Sequence, residues 1–132
     1  KIDDELIELN RGNRGHNIVI LNGFNGNILH NKTFDTWNYG NARSGNKMLP
    51  FMKEIMNDKK RLIIIINVMD TGAGRNSKAT HNILNDCQYK QLGFREPFIY
   101  VGTNKDDTCY ICIKGKRHDK HLLKCEVNVP LY

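Results

Sequence analysis

The sequence predicts an α+β domain in which strands dominate and two or three short helices pack alongside. Three observations predict it. β-Branched apolar runs at Ile18-Val19-Ile20-Leu21 and from Leu62 to Val68 read as strands covered on both faces. Two stretches, about residues 46–58 and 77–86, instead place apolar residues at helical spacing. No internal repeat, linker or low-complexity tract divides the chain, so residues 1–132 read as a single domain, large enough to bury a core without metal or disulfide.

Behind an acidic opening, Asp3-Asp4-Glu5, the segment Leu6-Ile7-Glu8-Leu9 has the length of a short edge strand, and Asn10 to Gly15 is a polar loop. Asn17 to Thr36 encodes a strand, a turn and a return strand. Asn22-Gly23 and Asn25-Gly26 tolerate positive φ, Ile28-Leu29 carry the chain back, and a second extended piece lies around Thr33 to Trp37. Beyond a loop at 38–45, Met48, Leu49, Met52, Ile55 and Met56 share one helical face and form a core stripe. Pro50 is tolerated there in the first turn of a helix that starts near Asn46. Leu62 to Val68 is expected to be central, because four consecutive isoleucines on an exposed edge would invite aggregation. The second helix buries Ala79, Ile83 and Leu84, with Asn76 or Ser77 as cap. Gly93 to Pro97 is a turn into a strand from Phe98 to Val101, and Cys109 to Ile113 and Leu122 to Val129 supply two further strands.

The charge balance is +6, from 20 basic and 14 acidic residues, with a pI near 9.2, which favours acidic partners at long range. Much of the excess sits in a late basic segment. Lys116, Arg117, Lys120 and Lys124, beside Lys114, His118 and His121, have the composition of a weak polyanion site for sulfated or carboxylated glycans; a solvated loop is the plainer reading, and nucleic acid is the less favoured partner. The longest apolar run, Leu62 to Ile66, is far short of the roughly 20 residues of a membrane span, so no membrane insertion is expected. The chain begins at Lys1 without Met, and an upstream segment is expected to precede it.

Cys87, Cys109, Cys112 and Cys125 form an even set that allows three complete pairings. On a strand, Cys109 and Cys112 would point to opposite faces and bond to different partners, Cys87 and Cys125; two disulfides would imply an oxidising compartment. A zinc module competes, since Cys109-x-x-Cys112 is followed by His118, His121 and Cys125. Tyr110, Ile111 and Ile113 make the Cys-x-x-Cys segment an apolar strand instead of a tight knuckle, which favours disulfides, and neither metal nor cofactor is expected. Asn31-Lys32-Thr33 satisfies the pattern for N-glycosylation at Asn31.

No nucleophile elbow, zinc-protease helix, phosphate loop or dinucleotide fingerprint is present, and Asp70 has no obvious carboxylate partner other than Asp35 or Glu96, so no enzyme activity is expected. Asp70 is nonetheless placed where ligands often sit, directly after a buried strand and ahead of Gly72. It either caps its own turn or accepts hydrogen bonds from a ligand's hydroxyls.

Arg14-Gly15-x-Asn17, NIVILNG, Gly26, Phe34-Asp35-Thr36-Trp37, Asp70-x-Gly72, Gly93-Phe94-Arg95 and Val101-Gly102, taken in order from Arg14 to about Asn104, resemble the FAM3 or ILEI-type domain. That lectin-like module occurs in secreted interleukin-like proteins, in the stem of the protein O-mannose N-acetylglucosaminyltransferase, and in extracellular hyaluronan-processing proteins. The resemblance implies two antiparallel β-sheets packed together with short helices, and a secreted, extracellular or Golgi-lumen setting. It also implies a non-catalytic carbohydrate site in which Arg14, Asp70 and Arg95 hold a glycan, such as one containing N-acetylhexosamine. The alternatives it leaves are a cytokine-like ligand for a cell-surface receptor, with the same three residues structural, and an accessory module of a glycan-processing enzyme. The chain departs from the pattern at Pro97-Phe98, where the family commonly carries Trp, and in its cysteines, so no disulfide pairing carries over.

Overall fold

The computed structural model describes residues 15–36, 43–69, 72, 75–93, 95–116 and 125–132. Its framework is set by the two apolar runs. His16–Asn22 forms β1 and Leu62–Val68 forms β3, paired antiparallel with Ile20 opposite Ile64. β2, Ile28–Phe34, returns antiparallel along the outer side of β1 and is mostly exposed, as an edge strand is. β4, Phe98–Thr103, covers the other side of β3, and β5, Ile111–Lys114, closes the sheet in the order β2-β1-β3-β4-β5. The isoleucine run is therefore central, as its composition demands.

Two helices cover one face of this sheet. α1, Arg43–Asn57, turns Met48, Met52 and Ile55 onto Ile18, Ile20, Ile64 and Ile66, and all seven are buried. α2, Arg75–Ile83, is followed by Leu84 and Cys87 in the same core. Alternation along the strands sends Val19, Leu21, Ile63, Ile65 and Val101 to the opposite face. There the C-terminal residues Val127, Val129 and Leu131 pack against them.

This second layer corrects the expectation of two packed sheets. Among the described residues there is one sheet, and the C-terminal residues 125–132 form no strand in place of the one expected at Leu122 to Val129. Arg61 holds that segment down through its side chain. Its Nη1 donates to the carbonyls of Gly23 at 2.9 Å and Pro130 at 3.0 Å, its Nη2 donates to the Tyr110 hydroxyl, and its guanidinium lies 4.1 Å from the Tyr132 ring centre. A side-chain fork replaces ladder hydrogen bonds as the fastening.

Other boundaries also move. α1 begins at Arg43, so Pro50 lies inside the helix and not in its first turn. α2 begins at Arg75, which makes Ser77 an interior residue and not a cap. Its buried face is Ser77, Thr80, His81 and Leu84, with Ala79 and Ile83 only half-buried. Ser77 and His81 occupy that face because it meets a polar partner, His16. The expected edge strand at Leu6 to Leu9 lies outside the described residues.

Candidate functional site

The strand register gathers several chain ends at one end of the sheet. Asn17 faces Asn67, and Val68 faces Phe98, so the start of β1, the end of β3 and the start of β4 are neighbours. Gly15 leads into β1 with φ of +92°, and a Cβ there would stand 2.0 Å from the Phe34 carbonyl oxygen. Only glycine fits that approach. Gly72 lies against the same end, where an added Cβ would come within 2.9 Å of the His16 ring.

Arg14, Asp70 and Arg95 are chain neighbours of these ends, but only Arg95 is among the described residues. Arg95 is exposed and adopts φ of +55° in the turn ahead of β4. That turn is tied at both sides. The Glu96 carboxylate accepts from the Gly93 N–H at 2.6 Å and pairs with the Lys114 ammonium, while the Gly115 N–H donates to the Pro97 carbonyl at 2.9 Å. Glu96 thus closes the turn that presents Arg95. Phe98 is fully buried and stacks on His81 with ring centres 4.6 Å apart, so it offers no face to a sugar.

Beneath this end lies a polar chain that sequence reading missed. His16 Nε2 and His81 Nε2 are 2.8 Å apart, His16 Nδ1 is 2.9 Å from the Thr36 hydroxyl, and His81 Nδ1 is 2.6 Å from the Tyr89 carbonyl oxygen. The Tyr89 carbonyl can only accept, so neutral His81 carries its proton on Nδ1 and accepts at Nε2. His16 must then donate from Nε2 and accept from Thr36 at Nδ1. Burial, reinforced by the neighbouring His81, holds His16 well below the usual histidine range. His81 is also lowered, by burial first and by Lys90 second, against the opposing effect of the Tyr89 carbonyl. The sequence signal was present, since Ser77, Thr80, His81 and Leu84 follow helical spacing, but a hydrophobic pattern does not reveal a polar face.

Cys87, Cys109, Cys112 and Cys125 are free thiols in the structure. Cys109 and Cys112 do not split between faces: both pack against the helix-side core, because β5 starts only at Ile111 and strand alternation does not extend back to Cys109. Among the described residues no group of three or more His, Cys, Asp or Glu is arranged to hold a metal. Asn31 lies exposed on β2 and Lys116 is exposed beyond β5, whereas Arg117, Lys120 and Lys124 are outside the described residues.

Comparison with known proteins gives the same kinship as the motifs. The family model described as "Interleukin-like EMT inducer" matches residues 14–115. Human Protein FAM3D is 32% identical over 119 residues, covering 87% of this chain and 46% of that protein. Human Protein FAM3C is 26% identical over 96 residues, covering 70% of this chain and 39% of that protein. Mouse Protein FAM3A is 26% identical over 116 residues, covering 86% and 47% respectively. The chain thus spans under half the length of these relatives. It belongs to the interleukin-like EMT inducer (FAM3/ILEI) family.

Proposed function

We propose that this chain is a non-catalytic carbohydrate-recognition domain of a secreted or lumenal protein, with Arg14, Asp70 and Arg95 as its saccharide contacts. The observation that carries the reading is the register at one sheet end. It sets Met69, which precedes Asp70, beside the tied turn that bears Arg95, and puts Gly15, which follows Arg14, at the same end of the sheet on the far side of β3. One carboxylate and two guanidinium groups supply both acceptors and donors, the mixture that a ring's vicinal hydroxyls and an acetamido oxygen require. Phe98 is buried and supplies no stacking ring to supplement those hydrogen bonds, so affinity is weak and selectivity rests on polar contacts. No described helix is long and apolar enough to cross a membrane.

A glycan array probed with wild type, Asp70→Ala and Arg95→Ala tests the reading. Selective binding to a glycan set, lost in both variants, supports it. Absence of binding by the wild type, or equal binding by all three, removes it. Arg95→Ala keeps the Glu96 side chain that ties the turn to Gly93 and Lys114.

A second reading is favoured by the description of the matched family as interleukin-like. In it the chain is a secreted signalling ligand for a cell-surface receptor, and Arg14, Asp70 and Arg95 tie loops to the sheet. Asp70→Ala then lowers the melting temperature by several degrees, and no glycan binds. An accessory module of a glycan-processing enzyme fits the first reading as well, and the full-length product would distinguish it.

A further inference from the structure

We propose that Cys87 and Cys112 form a disulfide that staples the α2–β4 connection to the edge strand β5, with Cys112 as the attacking thiol and Cys109 left unpaired. The two sulfur atoms are 3.9 Å apart, although the residues stand 25 positions apart in the chain. An S–S bond is about 2.05 Å long, so the sulfurs have roughly 2 Å to close. Asp86 precedes Cys87 at φ of +58°, a left-handed residue that turns the chain as it leaves the helical segment. Cys112 is set by β5, opposite Tyr100 of β4.

Cys109 is the competing thiol, and its surroundings direct it elsewhere. Its backbone N–H donates to the Asp86 carboxylate at 3.2 Å, and its sulfur faces the Asp86 carbonyl oxygen at 3.6 Å. Burial and the Asp86 carboxylate push its thiol up to about 11, which keeps it protonated. Cys112 is shifted the other way. As a thiolate it is favoured by a hydrogen bond from the Cys87 thiol and by the backbone N–H groups of Gln88 and Tyr89, against the opposing effect of burial. It is also half-buried, whereas Cys87 is only 3% exposed, so an external oxidant reaches Cys112 first.

The oxidant class is a disulfide, for which oxidised glutathione serves as probe. The Cys112 thiolate attacks one glutathione sulfur, the glutathione S–S bond breaks, and one glutathione thiolate leaves and takes up a proton. Cys87 then loses its proton to solvent, attacks the Cys112 sulfur of the mixed disulfide and expels the second glutathione thiolate, which is protonated in turn. Two protein thiols have lost two electrons to one glutathione disulfide, and the balance closes. The new bond fixes one end of the loop whose other end is held by Glu96 and Lys114.

The test is peptide mapping by mass spectrometry after exposure to oxidised glutathione, on wild type, Cys109→Ser and Cys87→Ser. A Cys87–Cys112 link in wild type and in Cys109→Ser, with Cys87→Ser halting at one glutathione on Cys112, is the expected result. The bridged protein should melt about 10 °C above its reduced form. A link from Cys112 to Cys109 or Cys125, or Cys87 and Cys112 both remaining thiols, overturns the proposal. Because Cys109→Ser leaves both proposed partners intact, the outcome does not depend on Cys87→Ser folding.

Discussion

His16 and His81, 65 positions apart in the chain, meet nitrogen to nitrogen at 2.8 Å in the core. The contact is attractive while both rings are neutral, with His16 donating and His81 accepting. Protonating His81 at Nε2 sets N–H against N–H, and protonating His16 at Nδ1 places a charge in a fully buried site.

Stability should therefore fall in mild acid. Both histidines have folded-state values below their unfolded value of 6.5, so the unfolded chain binds more protons once pH drops below 6.5. Their contribution is complete above that pH and is lost progressively below it, toward the depressed folded values. Urea unfolding midpoints measured between about pH 7.5 and pH 5 should decline, with a limiting slope of about 2.7 kcal/mol per pH unit for two protons. His81→Gln should remove about half of that slope, and a slope unaffected by it would refute the assignment.

Asn104 is expected to be among the costliest polar side chains to truncate. Its carbonyl accepts from the Leu62 N–H at 2.8 Å, and its amide nitrogen faces the carbonyls of Ile55, Asp58 and Lys60 at 3.0, 3.3 and 2.9 Å. It thereby joins the end of α1 to the start of β3. Asn104→Ala should lose about 2–4 kcal/mol by denaturant titration, because several buried backbone groups lose their partner together. Asn104→Asp should not rescue, since a carboxylate cannot donate to carbonyl oxygens.

Gly15→Ala should destabilise by about 3 kcal/mol or prevent folding, through the 2.0 Å approach to the Phe34 carbonyl and the positive φ together. A thermal melt within a degree of wild type would mean that the entry to β1 is placed differently.

Arg61→Lys should behave almost as Arg61→Ala. Nη1 binds both carbonyls while Nη2 binds the Tyr110 hydroxyl, a fork that a single ammonium does not reproduce. Hydrogen exchange should report it locally, as faster exchange at Tyr132, whose N–H donates to the Gly23 carbonyl at 2.9 Å.

Strand composition made much of the scaffold legible. β-Branched runs announce β1 and β3, the Asn-Gly pairs announce the first hairpin, and the methionine stripe announces the buried face of α1, because each depends on local periodicity. The second layer was less legible. Residues 125–132 are held by Arg61, by the Tyr132 N–H on the Gly23 carbonyl and by apolar contacts, none of which marks the segment's own sequence as non-strand. For the candidate site, motif order drew attention to Arg95, yet the reason its turn is firm, Glu96 bridging Gly93 and Lys114, joins residues from separate elements.

By itself, then, the sequence determined the first hairpin, the two helices, the central place of Leu62 to Val68 and the family kinship, since these follow from side-chain pattern and residue order. Only the tertiary structure decided that one sheet is covered by helices on one face and an extended tail on the other. It also decided that His16 meets His81, and that Cys112 lies against Cys87 while Cys109 faces Asp86. Hydrogen bonds and sulfur contacts act over a few ångströms, and which groups come that close depends on strand register and helix placement across the whole chain.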